Sequence, residues 1–374
     1  MIDCSKFFNT LKSHYISFYA GVPDSLLKDF CAYVSDHASK QDHIITANEG
    51  GAIALAAGYF LATGNIPLVY MQNSGLGNAI NPLLSLADKE VYSIPMILMI
   101  GWRGEPGVKD EPQHIKQGRI QKDLLEVLEI PYKILDSSVC DVDTFLSEVV
   151  TQVKNLQSPV AIVVKKGAFS PYKLEGNQDR NLSLTREQAV QQILSSLPKD
   201  AIVISTTGKT SREVFEYREH KKEGHNCDFL TVGSMGHCSQ IALGIALNTK
   251  KLVLCLDGDG AAIMHMGSMA IIGTTAPSNL IHIVLNNGSH DSVGGQPTLG
   301  FKISFITIAR ACGYKKAITV NREKDLKKVM QSVLKAKGPV LVEVKVSKGA
   351  RKDLGRPTST PIENKLLLMN KIKK

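Results

Sequence analysis

The stretch that decides the fold is Leu252-Val-Leu-Cys-Leu-Asp-Gly-Asp-Gly260, a short apolar run followed by a glycine-rich turn. A uniformly apolar run of about five residues predicts a strand that is buried on both faces, as in a parallel sheet. A helix is expected to begin near Ala261. Its unpaired backbone N–H groups and its positive dipole end would then lie behind the turn and favour a phosphate group. Gly258, Gly260 and the small residues Ala261 and Ala262 would let such an anion approach the backbone closely.

Oxygen ligands are expected at the same edge of the sheet. Asp259 lies in the turn, and the next apolar run, 280–285, is followed by Asn286-Asn287-Gly288. Neighbouring parallel strands would bring Asn287 close to Asp259. A carboxylate, an amide oxygen and a backbone carbonyl beside phosphate oxygens form the kind of site that Mg²⁺ prefers.

The glycine-rich turn fits three familiar ligand-binding loops less well. A calcium-binding EF-hand loop would need further ligands at Ala261 and Ser268, and a Walker loop would need Gly-Lys-Ser/Thr. A dinucleotide-binding fingerprint would need a third glycine where Ile263 stands. A tight turn without a ligand stays open on Gly-Asp-Gly alone, but the Asn-Asn pair after the next strand favours a binding site.

Similar apolar runs recur along the whole chain, separated by stretches long enough for crossover helices. Each half therefore predicts an open, doubly wound α/β domain with about six mostly parallel strands. The halves end alike, in Pro159-Val-Ala-Ile-Val-Val and Pro339-Val-Leu-Val-Glu-Val, which indicates structural duplication or a coincidence of two valine-rich strands. The predicted strands span residues 18–21, 43–47, 67–71, 96–100, 131–135, 160–164, 201–205, 229–232, 252–256, 280–285, 314–318 and 340–346.

Composition changes divide the chain. The polar segment 171–184 predicts a linker between domains at 1–170 and 185–348. The second domain begins with a capping box, Thr185-Arg-Glu-Gln188, followed by apolar residues at helical spacing. Residues 349–374 are rich in Lys and Arg and are expected to form a surface arm ending in a short helix. They lack the interleaved aromatic residues that would favour a nucleic-acid-binding arm, so a solvated tail is expected.

The overall composition indicates a globular chain with anionic partners. Of 374 residues, 43% are hydrophobic and 21% charged, and 44 Lys and Arg against 35 Asp and Glu give a net charge of +9. The seven scattered cysteines contain no CxxC pair, which favours a reducing cytoplasm over a disulfide framework or a zinc ribbon. Asp3 and Lys6 interrupt any export signal. The uncharged stretch 50–87 has an apolar run of about 11 residues, whereas a membrane span needs ~20.

The Gly-Asp-Gly turn and the Asn-Asn pair, separated by 25 residues, resemble the cofactor motif of the thiamine diphosphate-dependent decarboxylases. The resemblance implies that Asp259, Asn287 and the carbonyl of Ser289 bind Mg²⁺. It also implies that the second domain binds the diphosphate of the cofactor and that the first binds its pyrimidine ring. The family's larger members have a middle domain, for which this chain has no room.

The turn Gly233-Ser234-Met235-Gly236 is similar to a turn that precedes the motif in this family. The resemblance implies that Met235 wedges under the cofactor and holds its two rings in a V. The Gly233 carbonyl would accept a hydrogen bond from the pyrimidine amino group. The alternative for Met235 is an ordinary core residue.

Glu49 is the last charged residue before 38 uncharged ones and follows the predicted strand 43–47. A carboxylate entering such an apolar region should have a raised pKa, which favours sharing a proton with a ring nitrogen. The resemblance implies that Glu49 hydrogen-bonds the aminopyrimidine and so promotes removal of the thiazolium proton. The alternative is a surface Glu that stabilises a helix N-terminus.

The two-domain arrangement resembles the family members that decarboxylate 3-phosphono- and 3-sulfono-2-oxo acids. The resemblance is carried by the segments 18–25, 111–119 and 287–298 and favours the phosphonate, whereas physics cannot separate two tetrahedral oxyanions. Thr207 and Gly208 follow the strand 201–205, where phosphate or substrate contacts belong. Four basic residues are candidates for holding the anionic substrate, although solvated surface positions are the alternative, and a histidine could also relay protons: His114, Lys116, Arg119 and Lys209.

The resemblance also implies a homo-oligomer with the cofactor bound between subunits, and neither nucleic acid nor membrane as a partner. Two further classes of function stay open at this point. One is a non-catalytic regulator that binds an anion or a nucleotide on the same fold. The other is a nicotinamide-dependent dehydrogenase, which the missing glycine fingerprint disfavours.

Overall fold

The protein is described by a computed structural model that covers residues 1–175 and 182–373. The chain divides into two compact units. The first contains Met1–Asn177 and Ser292–Gln296, and the second contains Gln178–Asp291 and Pro297–Lys374.

The first unit is built on a six-stranded parallel sheet with the order β2-β1-β3-β4-β6-β5. Its strands are β1 (Tyr19–Gly21), β2 (His43–Ile45), β3 (Leu68–Gln72), β4 (Ile97–Gly101), β5 (Tyr132–Leu135) and β6 (Val160–Val164). Its helices are α1 (Cys4–Ser13), α2 (Lys28–His37), α3 (Glu49–Thr63), α4 (Leu76–Pro82), α5 (Pro112–Arg119), α6 (Gln121–Val127) and α7 (Val142–Leu156). A 3₁₀ turn, Asn73–Gly75, leads into α4.

The second unit has a sheet of the same kind, with the order β11-β12-β10-β9-β7-β8. Its strands are β7 (Ile202–Ser205), β8 (Asp228–Leu230), β9 (Val253–Gly258), β10 (Leu280–Asn286), β11 (Lys316–Val320) and β12 (Val340–Lys345). Its helices are α8 (Arg186–Ser195), α9 (Lys209–Lys221), α10 (Cys238–Ala246), α11 (Asp259–Met264), α12 (Gly267–Thr275), α13 (Phe305–Ala311), α14 (Glu323–Val333) and α15 (Pro361–Ile372).

Apolar layers cover both faces of each sheet. In β3, Leu68 and Tyr70 face one apolar cluster, while Val69 and Met71 face the other. This alternation explains the uniformly apolar sequence of the central strands, because a parallel strand between two helical layers has no side exposed to water. The predicted fold class, two doubly wound parallel-sheet domains, is therefore confirmed.

Both sheets have the same strand order. Counted within its own unit, each runs 2-1-3-4-6-5, as the prediction of structural duplication requires. In this order the winding reverses between the first and third strands, and ligands of open α/β sheets bind at the carboxyl ends of such a pair. The relevant pairs are β1 and β3 in the first unit and β7 and β9 in the second.

Each of the twelve predicted runs overlaps a strand, with ends that differ by at most two residues. The helix expected near Ala261 is present and starts two residues earlier. α11 begins at Asp259 rather than near Ala261, because the strand runs directly into the helix through Gly258, whose backbone is extended at φ −103° and ψ 156°.

The carboxyl-terminal arm is mostly exposed and ends in a short helix, as predicted, but this helix is docked on the sheet and is not a free tail. Its short helix, α15, packs on β8. The side-chain amide of Asn364 makes two hydrogen bonds with the backbone of this strand. The Asn364 amide accepts from the N–H of Leu230 at 3.0 Å and donates to the carbonyl of Asp228 at 2.8 Å. The helix therefore covers the edge of the sheet, which would otherwise expose unpaired peptide groups.

The amino-terminal part of the predicted linker is attached to the first unit. The Tyr172 backbone N–H donates to Asp29 at 3.1 Å, and its hydroxyl donates to Asp36 at 3.2 Å. Residues 176–181 of that linker lie outside the described part of the chain. Within the described residues, none of the helices combines the length and the apolar character that crossing a membrane requires.

Candidate active site

The sheet of the second unit brings the predicted metal ligands together. Leu285 lies beside Gly258 in the register of β10 and β9, so the residues that follow, Asn286 and Asn287, emerge next to Asp259. The Asp259 side chain is buried, with the residue 2% exposed, and it accepts a hydrogen bond from the Thr298 hydroxyl and one from the backbone N–H of Asn287. Burial raises the pKa of Asp259 to about 6, although these hydrogen bonds act in the opposite direction.

The two adjacent asparagines have different surroundings. Asn286 is fully buried, and its amide donates to the Gly300 carbonyl and to Glu343, both at 2.7 Å. Asn286 therefore fastens β10 to β12 and to the loop that contains Gly300. The Asn287 amide instead donates to Asp291 at 2.8 Å, while its oxygen accepts from the Ser289 N–H at 2.9 Å.

Glycines shape the space around Asp259. A Cβ at Gly300 would come within 2.3 Å of the Asp259 carboxylate, and a Cβ at Gly260 would lie 3.0 Å from the His290 ring. A Cβ at Gly258, by contrast, would meet no atom within 4 Å. The oxygen donors of Asp259, Asn287 and Ser289 fit Mg²⁺, which prefers such ligands, and the open side at Gly258 leaves room for an anion.

Two turns flank this edge of the sheet and are tied to each other. The Thr207 hydroxyl donates to the Val232 carbonyl at 2.7 Å, which fixes the turn after β7 to the one that holds Gly233 and Ser234. Gly208 has a φ of +92°, a backbone conformation that favours glycine. Met235 is half-buried and belongs to neither apolar cluster of the second unit's described residues, which disfavours an ordinary core role.

In the first unit, the structure buries the predicted glutamate. Glu49 is 5% exposed and is the first residue of α3, after Asn48 caps the helix by accepting from the Gly51 N–H at 2.8 Å. Its carboxylate accepts from the Asn78 amide at 2.9 Å. Burial raises the pKa of Glu49, and no charged group in the described chain contributes to the shift. The predicted environment is therefore present, and the exposed helix-end alternative is wrong.

A glycine makes this burial possible. A Cβ at Gly75 would lie 2.2 Å from the Glu49 carboxylate oxygen, so the 3₁₀ turn before α4 can approach the carboxylate only without a side chain. A Cβ at Gly50 would similarly lie only 2.9 Å from the backbone carbonyl oxygen of Asn78. The carboxylate of Glu49 thus lies in a cradle formed by α3 and the segment that leads into α4.

The predicted basic residues differ in burial. His114 is 8% exposed, and burial, followed by the charge of Arg103, lowers its pKa. Its Nδ1 is buried without a hydrogen-bond partner. Lys116 and Arg119, on the same helix, are exposed, so their side chains do not share the buried environment of His114. Lys209 is half-buried at the start of α9, and burial lowers its pKa.

Sequence reasoning missed several groups that the structure places around these residues. Asn78 and Gly75 hold Glu49, while Thr298 and Asp291 hold the metal-ligand candidates. Arg103 was also missed. It pairs with Asp110 and donates to the Ser25 hydroxyl at 2.7 Å beside His114. Thr298 and Asp291 lie in the segment 287–298 that carried the resemblance, but no local pattern assigned them a role.

Comparisons with known proteins assign most of both halves of the chain to known domains. Residues 5–126 match the amino-terminal thiamine pyrophosphate (TPP)-binding domain of TPP enzymes, and residues 206–344 match the carboxyl-terminal TPP-binding domain. The chain is 36% identical to the phosphonopyruvate decarboxylase of Streptomyces viridochromogenes, over 92% of this chain and 88% of that protein. It is 34% identical to the enzyme of the same name from Streptomyces hygroscopicus, over 97% and 92%.

A relative with a different name is more distant. The sulfopyruvate decarboxylase of Methanosarcina acetivorans is 29% identical over 84% of each chain. The two domain matches correspond to the two sheets, and the relatives extend over nearly the full length of the chain. The chain therefore belongs to the thiamine pyrophosphate enzyme family and groups with its decarboxylases.

Proposed function

We propose that this protein is a thiamine diphosphate- and Mg²⁺-dependent decarboxylase that converts 3-phosphonopyruvate to phosphonoacetaldehyde and CO₂. The observation that carries the reaction type is the buried Glu49 carboxylate, cradled by Gly75 and Asn78 in the domain that matches the amino-terminal TPP-binding module. The identity of 34–36% to two phosphonopyruvate decarboxylases supports the choice of substrate.

When bound, thiamine diphosphate supplies an electron sink for the negative charge that develops as CO₂ leaves a 2-oxo acid. The protein's own residues hold and move protons. Burial raises the pKa of Glu49 and so favours its protonated form, which can share a proton, and the Asn78 amide fixes the orientation of the carboxylate. Glu49 is 5% exposed, which limits the access of water to that proton.

The metal site is proposed at Asp259, Asn287 and the carbonyl of Ser289. Metal binding needs Asp259 in its ionised form, and the hydrogen bond from Thr298 favours that form against the effect of burial. Gly233, Ser234 and Met235 are proposed as further cofactor contacts, with Thr207, Gly208, Gly258, Gly260, Ala261 and Ala262 on the side of the diphosphate.

The anionic end of the substrate is proposed to meet His114 and Lys209, which are less exposed than the other two basic candidates. Lys116 and Arg119 are weaker candidates because they are exposed. The alternative substrate is 3-sulfopyruvate, which the similarity to the sulfopyruvate decarboxylase of Methanosarcina acetivorans supports less strongly. A regulator without catalytic activity would not need a buried acid at position 49.

The test is the release of CO₂ from a panel of 2-oxo acids by the full chain supplied with thiamine diphosphate and Mg²⁺. We expect turnover with 3-phosphonopyruvate, a lower kcat/KM with 3-sulfopyruvate and little with pyruvate. Preference for the sulfonate would reassign the substrate. Cofactor binding without turnover on any 2-oxo acid would contradict the proposal and favour a regulator.

We also propose a homo-oligomer whose active site takes Glu49 from one subunit and Asp259 from another. Glu49→Gln and Asp259→Ala variants should each be inactive. If the two are mixed and allowed to exchange subunits, a dimer should regain about a quarter of wild-type activity, because half of the dimers would contain one intact site. No recovery despite demonstrated exchange would contradict shared sites. A cytoplasmic location stays a prediction from the scattered cysteines.

A further inference from the structure

Asp291, four residues beyond Asn287, collects three hydrogen bonds on one carboxylate oxygen. Its Oδ2 accepts from the Asn287 amide at 2.8 Å, from the Arg186 guanidinium at 3.2 Å and from the Gly349 N–H at 2.9 Å. Its side chain is 11% exposed. Asp291 is not itself a candidate metal ligand, but one of the groups it holds is the side chain of a candidate ligand, Asn287.

The contact with Asn287 sets the direction of an amide. A side-chain amide has an oxygen on one side and an NH₂ group on the other, and rotation by half a turn exchanges them. Because the NH₂ group of Asn287 donates to Asp291, its oxygen must face the opposite way, where it accepts from Ser289. Only the oxygen can bind Mg²⁺, so the opposite orientation would present a group that cannot act as a ligand.

Asp291 is itself held in place without help from a metal. Arg186, the first residue of α8, is buried and makes a bidentate pair with Glu213, with both N···O distances at 2.9 Å. The remaining guanidinium nitrogen reaches Asp291. Bidentate guanidinium–carboxylate pairs have a fixed geometry, so this pair anchors Arg186 and, through it, the carboxylate that faces Asn287.

The neighbouring asparagine provides a contrast within the same motif. The Asn286 amide is oriented by Gly300 and Glu343 and fastens strands together. Asn287 has no such anchor in the described residues, and its NH₂ group depends on Asp291. The Asn287 amide is therefore oriented by one side-chain acceptor, Asp291, together with the backbone N–H of Ser289.

We propose that Asp291 is a positioning residue for the Mg²⁺ site and keeps the Asn287 oxygen directed at the metal. This inference rests on the proposed function, since it needs a metal at Asp259 and Asn287. Groups that orient metal ligands without touching the metal commonly change metal affinity by about 10–100-fold when they are replaced. Asp291 should therefore affect the Mg²⁺ requirement much more than the reaction rate at saturating Mg²⁺.

The experiment measures thiamine diphosphate binding by calorimetry at a series of Mg²⁺ concentrations, on full-length protein that has been stripped with a chelator. Asp291→Leu removes the acceptor, and we expect the Mg²⁺ concentration for half-maximal cofactor binding to rise by about 10–100-fold. Asp291→Asn keeps a weaker, neutral acceptor and should produce a smaller rise. In both variants, kcat at saturating Mg²⁺ should stay within about threefold of wild type, because Asp291 does not touch the reacting groups.

Asp228→Asn is the matched control. Asp228, which is buried, is likewise paired with an arginine, Arg218 at 3.1 Å, but the hydrogen bonds of the described residues include none between Asp228 and Asn287. Its replacement should lower the melting temperature without changing the Mg²⁺ midpoint. If Asp291→Leu does not fold, Asp291→Asn decides the question by the same measurement.

Three results would overturn the inference: an unchanged Mg²⁺ midpoint in the Asp291 variants, an equal shift in the Asp228 control, or a loss of kcat at saturating Mg²⁺ with an unchanged midpoint. Failure of the proposed function gives a different result. In that case the wild-type protein itself would show no Mg²⁺-dependent binding of thiamine diphosphate.

Discussion

Gly75→Ala is a one-carbon change directed at the Glu49 carboxylate. The new Cβ would lie 2.2 Å from a carboxylate oxygen, 2.5 Å from the carboxyl carbon and 2.6 Å from Cγ. Ordinary contacts of this kind are about 3.5–4 Å long, so the carboxylate must move by more than ~1 Å. The backbone at Gly75, with φ −77° and ψ −16°, suits alanine. The substitution should therefore act through Glu49 and not through backbone strain.

The expected effect is large on activity and modest on stability. A displacement of about 1 Å in a catalytic group can cost ~100-fold in rate, so kcat/KM should fall by at least that factor. Overpacking a core costs about 1–3 kcal/mol, so the protein should still be folded at 25 °C. The assay is steady-state CO₂ release with cofactor and Mg²⁺ at saturation, together with thermal unfolding and calorimetric cofactor binding.

Gly77→Ala is the matched control two residues away. A Cβ at Gly77 would meet no atom within 4 Å, and Gly77 lies in α4, where alanine favours the helix by about 0.5–1 kcal/mol. This variant should keep wild-type activity and melt at the same or a higher temperature. Wild-type kcat/KM in the Gly75 variant, or an equal loss in both variants, would refute the role of the cradle.

Three more substitutions test separate parts of the structure. Thr298→Val removes the hydroxyl that donates to Asp259 and should weaken Mg²⁺-dependent cofactor binding about 10-fold by calorimetry; unchanged affinity would contradict this. Burial lowers the pKa of His43 from 6.5 to about 4. Between these two pH values the unfolded chain therefore binds more protons at this residue than the folded protein does. The contribution of His43 to the free energy of unfolding is then fully present above pH 6.5. Up to about 3 kcal/mol of it is lost as the pH falls towards 4. In urea unfolding, His43→Gln should flatten the dependence of the free energy of unfolding on pH between 6.5 and 4. An unaltered dependence would mean that other groups cause the loss of stability. Asn364→Ala leaves two peptide groups of β8 unpaired and should cost about 1–3 kcal/mol in the same assay, whereas a neutral result would mean that α15 does not protect this edge.

The elements that sequence predicted well are those fixed by local pattern. Uniform apolar runs located the strands, because burial on both faces leaves no alternative pattern for a parallel strand. The pairing of neighbouring strands then placed Asn287 beside Asp259 without any side-chain detail. Burial of Glu49 followed from the uncharged stretch after it.

The groups that sequence did not predict depend on contacts between distant segments. Asn78 and Gly75 meet Glu49 only because α3 packs against the start of α4. Asp291 acquires its role from Arg186, more than a hundred residues earlier in the chain. The docking of α15 on β8 likewise depends on two backbone groups that no sequence pattern marks.

The exposure of Lys116 and Arg119 also depends on how the chain packs and could not be read from the local sequence. Both lie on α5 with His114, and charge alone gave no reason to separate them. The helix buries His114 and turns the two cations towards water. Of the three basic side chains on this short helix, only that of His114 is buried, and the packed structure is needed to show which one it is.

The most direct test of the central claim, that the buried acid of the first unit drives decarboxylation, is the turnover of Glu49→Gln with 3-phosphonopyruvate. Glutamine keeps the size of the side chain but cannot exchange a proton. We predict normal Mg²⁺-dependent binding of thiamine diphosphate and a loss of CO₂ release by about 100–10,000-fold, while Glu148→Gln, at an exposed glutamate, behaves as wild type. Wild-type CO₂ release by the Glu49→Gln enzyme would contradict the account.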